Sequence, residues 1–288
     1  MSKNYVLFNP LAGNKRCGTE IKMIEAMLDG EILYCDMTKP ETYSDILPEM
    51  QRGDILIVCG GDGTLNRFIN LPYDYSEKNE VYYFPMGSGN DFAHELGHKY
   101  GDRPFNITKY LKDLPEVTVN GKTYKFLNGI GYGIDGYCCE VGDKLRETTE
   151  GSINYTAIAI KGLLFHYKPT NATVTVDGVK HKFKRVWLAP TMNGKFYGGG
   201  MMPTNQDRAS GKLSVMVYHN LGKLKALMVF PSIFKGEHVK HKNNIAILEG
   251  REITVEFDRP TPLQIDGETI LGISSYKTKA HYHDMVNA

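Results

Sequence analysis

The chain has 288 residues, long enough for two domains of ordinary size. With 41% apolar and 23% charged residues it reads as a globular protein, and a net charge of +1 leaves no global field to draw in nucleic acid. No apolar run reaches the length needed to cross a bilayer; YTAIAIKGLLFHY comes closest and is broken by Lys161. Cys17, Cys35, Cys59, Cys138 and Cys139 suggest neither a disulfide framework nor a zinc spacing. The start, MSKNYVLFNP, has no signal-peptide hydrophobic stretch. A cytoplasmic protein with reduced thiols is expected, with membrane contact only peripheral.

The first part of the chain alternates strand and helix. YVLF (5–8) reads as a buried strand leading into a glycine-bearing loop. Apolar residues at 21, 23, 24, 27 and 28 predict a helix over 20–30, with Gly30 as its stop. EILYC (31–35) is a strand, and 40–50 reads as a helix with Pro40 in its first turn. DILIVCGG (54–61) is a fully buried strand, followed by a helix from Thr64, the strand VYYFP (81–85) and a helix from Asn90. Such alternation predicts a parallel sheet covered by helices. Near Pro115 the pattern changes. Asn120-Gly121 and Asp177-Gly178 each sit between alternating runs, a strong hairpin signal, and REITVEF and PLQIDGETI continue the strands. Helical intervals are expected at 152–166 and 222–234, the second ended or kinked by Pro231. The expected domains are therefore an α/β domain, 1–116, and a β-rich domain, 117–288, with the extreme C-terminus free to pack back on the first.

Two motifs compete for the chemistry. HELGHKYG (94–101) contains His94-Glu95-x-x-His98, a zinc-protease pattern in which two imidazoles four apart on a helix hold the metal and Glu95 acts as base. The longer form of that pattern wants a third His at 104, where this chain has Pro104; Glu116 is available as a substitute but falls in a strand pattern. Glycine-rich turns make the rival case. After the buried strand come Gly60-Gly61-Asp62-Gly63-Thr64 and a helix; such a turn lets a phosphate approach the amides, with a tight turn capped by Asp62 as the plain structural alternative. Gly87-Ser88-Gly89 followed by Asn90-Asp91 repeats the arrangement, and two such turns at strand carboxyl ends point to one crevice. A third loop, FNPLAGNKRCGT, is not a P-loop, because Thr19 follows Gly18 where Lys is required.

NPLAG, GGDGTLN, MGSGNDFA, FLNGIGYGID, GEHVKH and QIDGE occur in an order that resembles the diacylglycerol kinase catalytic-domain family, from residue 9 to 268. The resemblance implies an NAD-kinase-like nucleotide domain, a β-sandwich-like lipid domain, and transfer of the ATP γ-phosphate to a lipid hydroxyl. It implies that Asn9, Gly60, Gly61, Gly63 and Thr64 cradle the phosphates and that Asp62 organises Mg2+. Ser88 and Asn90 would border the nucleotide, with Asp91 in the metal–water network. Asp266 is the implied general base, with Glu268 as metal or orienting partner; Asp135 is its rival, and Asp266-Gly267 also reads as a hairpin turn. His94 stands where these enzymes often carry Arg, which makes the zinc pattern a coincidence of composition.

Some positions depart from the family or stay open. Bacterial relatives often have an Asp before the glycine leading into a strand of the second domain, where it helps hold a structural magnesium; here Ser210 precedes Gly211, with Asp207 as a substitute. Lys144 and Arg146 read as a solvated helix face. Residues 222–242 read equally as an interfacial helix or a core helix with a basic exit loop. His238 and His241 are not expected to bind metal, and His281 and His283 share one strand face toward solvent. The partner expected is a lipid at a membrane surface. Neither the acceptor lipid nor the oligomeric state is encoded, and a homodimer is compatible with the sequence. An NAD kinase and a non-catalytic nucleotide-binding regulator are the alternatives.

Overall fold

The apolar runs YVLF, ILIVCG and VYYFP pair as parallel strands with both faces largely buried, and EILYC joins them at the edge. The computed structural model describes residues 2–44, 47–72, 79–148 and 155–281, and the chain divides into two units, Met1–Lys112 and Asp113–Ala288. In the first unit β1 (Lys3–Phe8) leads through a loop to α1 (Arg16–Glu20) and β2 (Glu31–Asp36). Then follow β3 (Ile55–Gly60), α2 (Asp62–Ile69), β4 (Glu80–Pro85), α3 (Asp91–Glu95), β5 (Phe105–Asn106) and α4 (Thr108–Leu111). The sheet order is β2-β1-β3-β4-β5, parallel except for β5. This order brings the carboxyl ends of β1, β3 and β4 side by side.

Two expected helices differ. The 20–30 helix continues beyond Glu20 as a 3-10 stretch, Ile21–Met27. Ile21 and Ile24 are buried and Met27 partly so, a spacing of three that suits three residues per turn. The 40–50 helix is replaced by two short 3-10 turns, Pro40–Thr42 and Leu47–Glu49, with 45–46 outside the described residues. Pro48 lacks the backbone donor a helix interior needs.

The second unit is an antiparallel sheet with helices on it. Its first part contains β6 (Glu116–Val119), β7 (Lys122–Lys125), β8 (Gly129–Tyr132), α5 (Ile134–Thr148), α6 (Tyr155–Lys161), β9 (Thr170–Val176) and β10 (Val179–Val186). It continues with β11 (Thr191–Met192), β12 (Leu213–Tyr218), α7 (Lys223–Val229), β13 (Ile245–Gly250), β14 (Glu252–Ile265) and β15 (Glu268–Lys279). The order is β13-β12-β11-β8-β14-β15-β6-β7, and β9 pairs with β10 and β14. Three Asx-Gly pairs make its tight hairpins: Asn120-Gly121, Asp177-Gly178 and Asp266-Gly267, both residues of each at positive φ. The core under the sheet is built on Tyr132, stacked on Phe257 at 3.9 Å, with its hydroxyl on Ile273 O at 2.6 Å.

α5 lies close to β14 because Gly136 has no side chain; a Cβ there would stand 1.9 Å from Pro262 O. The expected 152–166 helix is α6 followed by a π turn, Gly162–His166, with 152–154 outside the described residues. α7 gives way at Phe230 to a 3-10 stretch with Pro231 in its first turn. The Arg146 side chain, His283 and the extreme C-terminus also lie outside the described residues.

Candidate functional site

In the first unit three loops are tied into one structure. Gly61 and Gly87 meet backbone to backbone: a Cβ on Gly87 would stand 2.2 Å from Gly61 Cα. The Asp62 carboxylate crosses between the turns, accepting the N–H of Asp91 at 2.9 Å and of Phe92 at 3.0 Å. Asp62 thus caps the helix that follows the other turn, α3, an arrangement local sequence does not reveal. Asn9 links in the first loop, its Nδ2 on Thr64 Oγ1 at 3.4 Å and its Oδ1 accepting Leu11 N–H at 3.0 Å. Asn90 is buried and turned inward. Its amide braces Gly87 through two bonds, to Gly87 O at 2.8 Å and from Gly87 N at 2.9 Å. The Tyr83 hydroxyl lies 2.9 Å from Gly60 O and 3.3 Å from Asn90 Oδ1. Burial, then Asp62, Cys59 and Asp91, pushes this phenol well up, so it stays a donor.

A cleft of about 410 Å3 opens beside these turns, lined by Gly13, Asn14, Arg16 and Gly87–Asn90 on one side and His94, His98, Lys99 and Tyr100 on the other. Ser88 and Gly89 face solvent there. Gly13 is at positive φ, and any Cβ would stand 2.4 Å from Met86 O, so only glycine lets this loop close on the end of β4. Arg16 pairs with Glu20 at 3.0 Å and sits over the Tyr100 ring at 4.3 Å. The zinc pattern fails geometrically. α3 ends at Glu95, so His94 and His98 do not share a helix face, and His98 stacks on Phe105 at 3.7 Å. Among the described residues no group of three His, Cys, Asp or Glu could hold a metal.

The second unit holds two buried carboxylates in opposite settings. Asp266, in the turn between β14 and β15, accepts the N–H of Leu127 at 2.6 Å, Asn128 at 2.8 Å and Gly129 at 2.9 Å. The same segment is gripped by Asn193, which donates to Leu127 O at 2.8 Å, and by Arg208, on Leu127 O and on Asn128 Oδ1 at 3.2 Å. Glu268 is exposed at the start of β15. Asp135, in the first turn of α5, is buried and takes a 2.5 Å hydrogen bond from the Tyr197 hydroxyl on Oδ2. Burial pushes its carboxyl up to about 7 despite the opposing Tyr197 bond. Tyr197, Asn193 and Arg208 escaped sequence reasoning, since each reaches a partner more than sixty residues away in the chain. Lys144 pairs with Glu140 on an exposed helix face, as expected.

The accessory cation site implied by the family resemblance does not fit here. Gln206 is buried, and its Nε2 donates to Asp207 O at 2.9 Å, Ser210 Oγ at 3.3 Å and Lys212 O at 2.8 Å. The oxygens that could surround a cation surround an amide nitrogen instead. The Asp207 carboxylate caps the following turn through Ala209 N–H at 2.9 Å. In nucleotide-free protein, thermal melting is expected to be the same in EDTA and in millimolar Mg2+. Gln206→Glu puts a carboxylate oxygen against three oxygens; a loss of about 1–3 kcal/mol, partly restored by Mg2+, is expected. A Mg2+-dependent rise in the wild-type melting temperature would contradict this assignment.

A family model described as the diacylglycerol kinase catalytic domain matches residues 3–119. A model described as the YegS C-terminal NAD kinase beta sandwich-like domain matches residues 128–277. The candidate lipid kinase YtlR of Bacillus subtilis strain 168 is 26% identical over 241 residues, covering 77% of this chain and 76% of its own. The candidate lipid kinase SAS0691 of Staphylococcus aureus strain MSSA476 is 25% identical over 261 residues, covering 84% and 78%. The crystal structure of a candidate diacylglycerol kinase from Bacillus anthracis strain Sterne shares the fold, with a TM-score of 0.66 at 20% identity over 99% of this chain and 97% of that one. Together the two models take in both units and the glycine-rich turns, and the chain belongs to the diacylglycerol kinase catalytic-domain family, among its YegS-like bacterial members.

Proposed function

We propose that the protein transfers the γ-phosphoryl group of ATP to the hydroxyl of a diacylglycerol or a related lipid. The observation that carries this reading is Asp135, a buried carboxylate of the second unit poised near neutrality and oriented by a phenol. In the first unit the cleft beside the glycine-rich turns suits a nucleotide. Of the residues we assign to the nucleotide, Ser88 lines this cleft, with Arg16 and Lys99 as cations on its walls, while Asn9, Gly60, Gly61, Gly63 and Thr64 belong to the turns beside it. The Asp62 carboxylate accepts the backbone N–H of Asp91 where the turns touch, and both side chains bear on Tyr83. Asp62 and Asp91 are the residues that would hold magnesium, an ion suited to carboxylate and phosphate oxygens. When bound, the ion would offset the charge of the transferring phosphoryl group.

In the proposed reaction the lipid oxygen bonds to the γ-phosphorus and its proton passes to Asp135. The bond from γ-phosphorus to the bridging oxygen breaks, and ADP leaves with that electron pair. We assign the proton to Asp135 rather than Asp266 because the Asp266 carboxylate already accepts three amide protons. Asp266 then serves to hold Leu127–Gly129 in place, with Glu268 beside it.

The lipid acceptor calls for a membrane-facing surface. Leu224 and Met228, four apart on α7, are 73% and 72% exposed, and Phe165 is 72% exposed on the π turn that Lys223 ties to α7 through Leu164 O at 3.0 Å. Apolar tips among lysines suit a peripheral face, and we favour the interfacial reading of this segment. No helix among the described residues is long and apolar enough to cross a membrane.

Incubation with γ-labelled ATP, Mg2+ and separate panels of diacylglycerols, sphingoid bases, undecaprenol and NAD tests the activity. Label is expected in a lipid. Label only in NADP would replace the reading with an NAD kinase, and bound ATP with no transfer would make the protein a regulator. Asp135→Asn is expected to lower kcat on the order of 10²–10⁴-fold with ATP binding retained. Asp266→Asn is expected to lower the melting temperature instead; a stable Asp266→Asn protein that binds ATP without turnover would return the base to Asp266. Leu224→Glu with Met228→Glu should cut turnover on vesicles on the order of tenfold while sparing lipid in detergent micelles. Equal rates on vesicles would remove the proposed membrane face.

A further inference from the structure

Tyr197 is held by a loop that is fastened along its length. Asn193 and Gly194 donate their backbone N–H to Asn128 O at 2.9 and 2.8 Å. Tyr197 and Met201 then exchange two backbone bonds of 3.0 Å, closing a tip of three glycines, Gly198, Gly199 and Gly200, all at positive φ. Beyond the tip, Met202 N donates to Ile233 O at 3.2 Å, and His238 Nε2 lies 2.7 Å from Pro203 O. A carbonyl only accepts, so Nε2 carries the proton of that bond. His238 is fully buried, and Gly236 makes room for the loop: a Cβ there would stand 2.3 Å from Met202 Cε. The GEHVKH segment thus clamps the loop that carries Tyr197.

We propose that Tyr197 is a positioning residue for phosphoryl transfer, its hydroxyl fixing Asp135 Oδ2 so that Oδ1 receives the acceptor proton, with His238 holding Tyr197 in place through Pro203. This inference rests on the reading that Asp135 takes the proton. Among the described residues no hydrogen bond is made to Oδ1. The titratable groups that face Asp135 are Cys138 from its own helix, Tyr197 from the loop, Tyr167 after the π turn and Tyr276 from β15. None of these is a cation; the nearby Arg259 guanidinium sits 5.5 Å over the Tyr167 ring instead. The phenol is therefore the group that favours the ionised carboxylate against burial, and its removal drives the carboxyl further up. Since the base works ionised, activity rises with pH through the carboxyl's range, and the loss of Tyr197 moves that rise to higher pH.

The test is the pH profile of lipid phosphorylation, measured with labelled ATP and a diacylglycerol in detergent micelles. Tyr197→Phe, which keeps the ring, is expected to displace the acid limb upward by about one unit. That lowers kcat near pH 7 roughly fivefold, and roughly tenfold well below pH 7, while KM for ATP and lipid stays unchanged. His238→Ala should move the limb the same way, and His238→Gln, which keeps an N–H where Nε2 stood, should restore it. A merely structural tyrosine would lower stability without moving the limb. In the nucleotide-free protein, the infrared band of a protonated carboxyl that is absent from Asp135→Asn should persist to higher pH in Tyr197→Phe, so a variant with no turnover is still informative. An inactive Asp135→Asn combined with an unmoved limb or band in Tyr197→Phe overturns the role of Tyr197 alone. A fully active Asp135→Asn overturns the proton-acceptor reading itself.

Discussion

The closeness of Gly61 to Gly87 is the constraint on which the first unit depends. Any side chain at Gly87 would overlap the backbone of Gly61, so two strand-to-helix turns can touch only as glycines. Once they touch, the rest follows. Asp62 reaches the amides of Asp91 and Phe92, Tyr83 bonds Gly60 O, and Asn90 folds back to hold Gly87. Polar groups that would be costly to bury unpaired all find partners, and the exposed edge keeps Ser88 and Gly89 for solvent and ligand. The surface is stiff behind and open in front, as pre-organised binding of a phosphate chain requires.

The second unit gives two buried aspartates different environments. Three backbone amides converge on Asp266, giving an anion solvated by the chain itself. Asp135 is buried at the start of α5 with a phenol as its hydrogen-bond donor, and burial dominates its carboxyl. Gly136, one residue on, brings α5 down on β14 and so encloses Asp135. The difference between the amide-solvated carboxylate and the one proposed to accept a proton is thus made by neighbours distant in sequence.

Those distances explain what the sequence could and could not show. The buried strands, the three glycine-rich loops and the Asx-Gly hairpins were legible, because each is a local pattern with a local cause. The 40–50 helix does not form because Pro48 stands inside it, although Pro40 suits a helix start. The His94-Glu95-x-x-His98 pattern presumed a helix that ends at Glu95. The inward turn of Asn90, the capping role of Asp62 and the Asp135–Tyr197 bond depend on tertiary contact, which spacing does not encode. Gln206 illustrates the same limit: the departure at Ser210 was visible, but the amide that fills the space was not.

The most direct test of the account is hydrogen exchange of the backbone amides with and without ATP and Mg2+. Slowed exchange at Gly61–Thr64, Gly87–Asn90 and Gly13–Arg16, with the sheet interior unchanged, is the predicted result. Protection confined to other segments, in protein shown to bind the nucleotide, would mean that the interlocked turns are not where the phosphates lie.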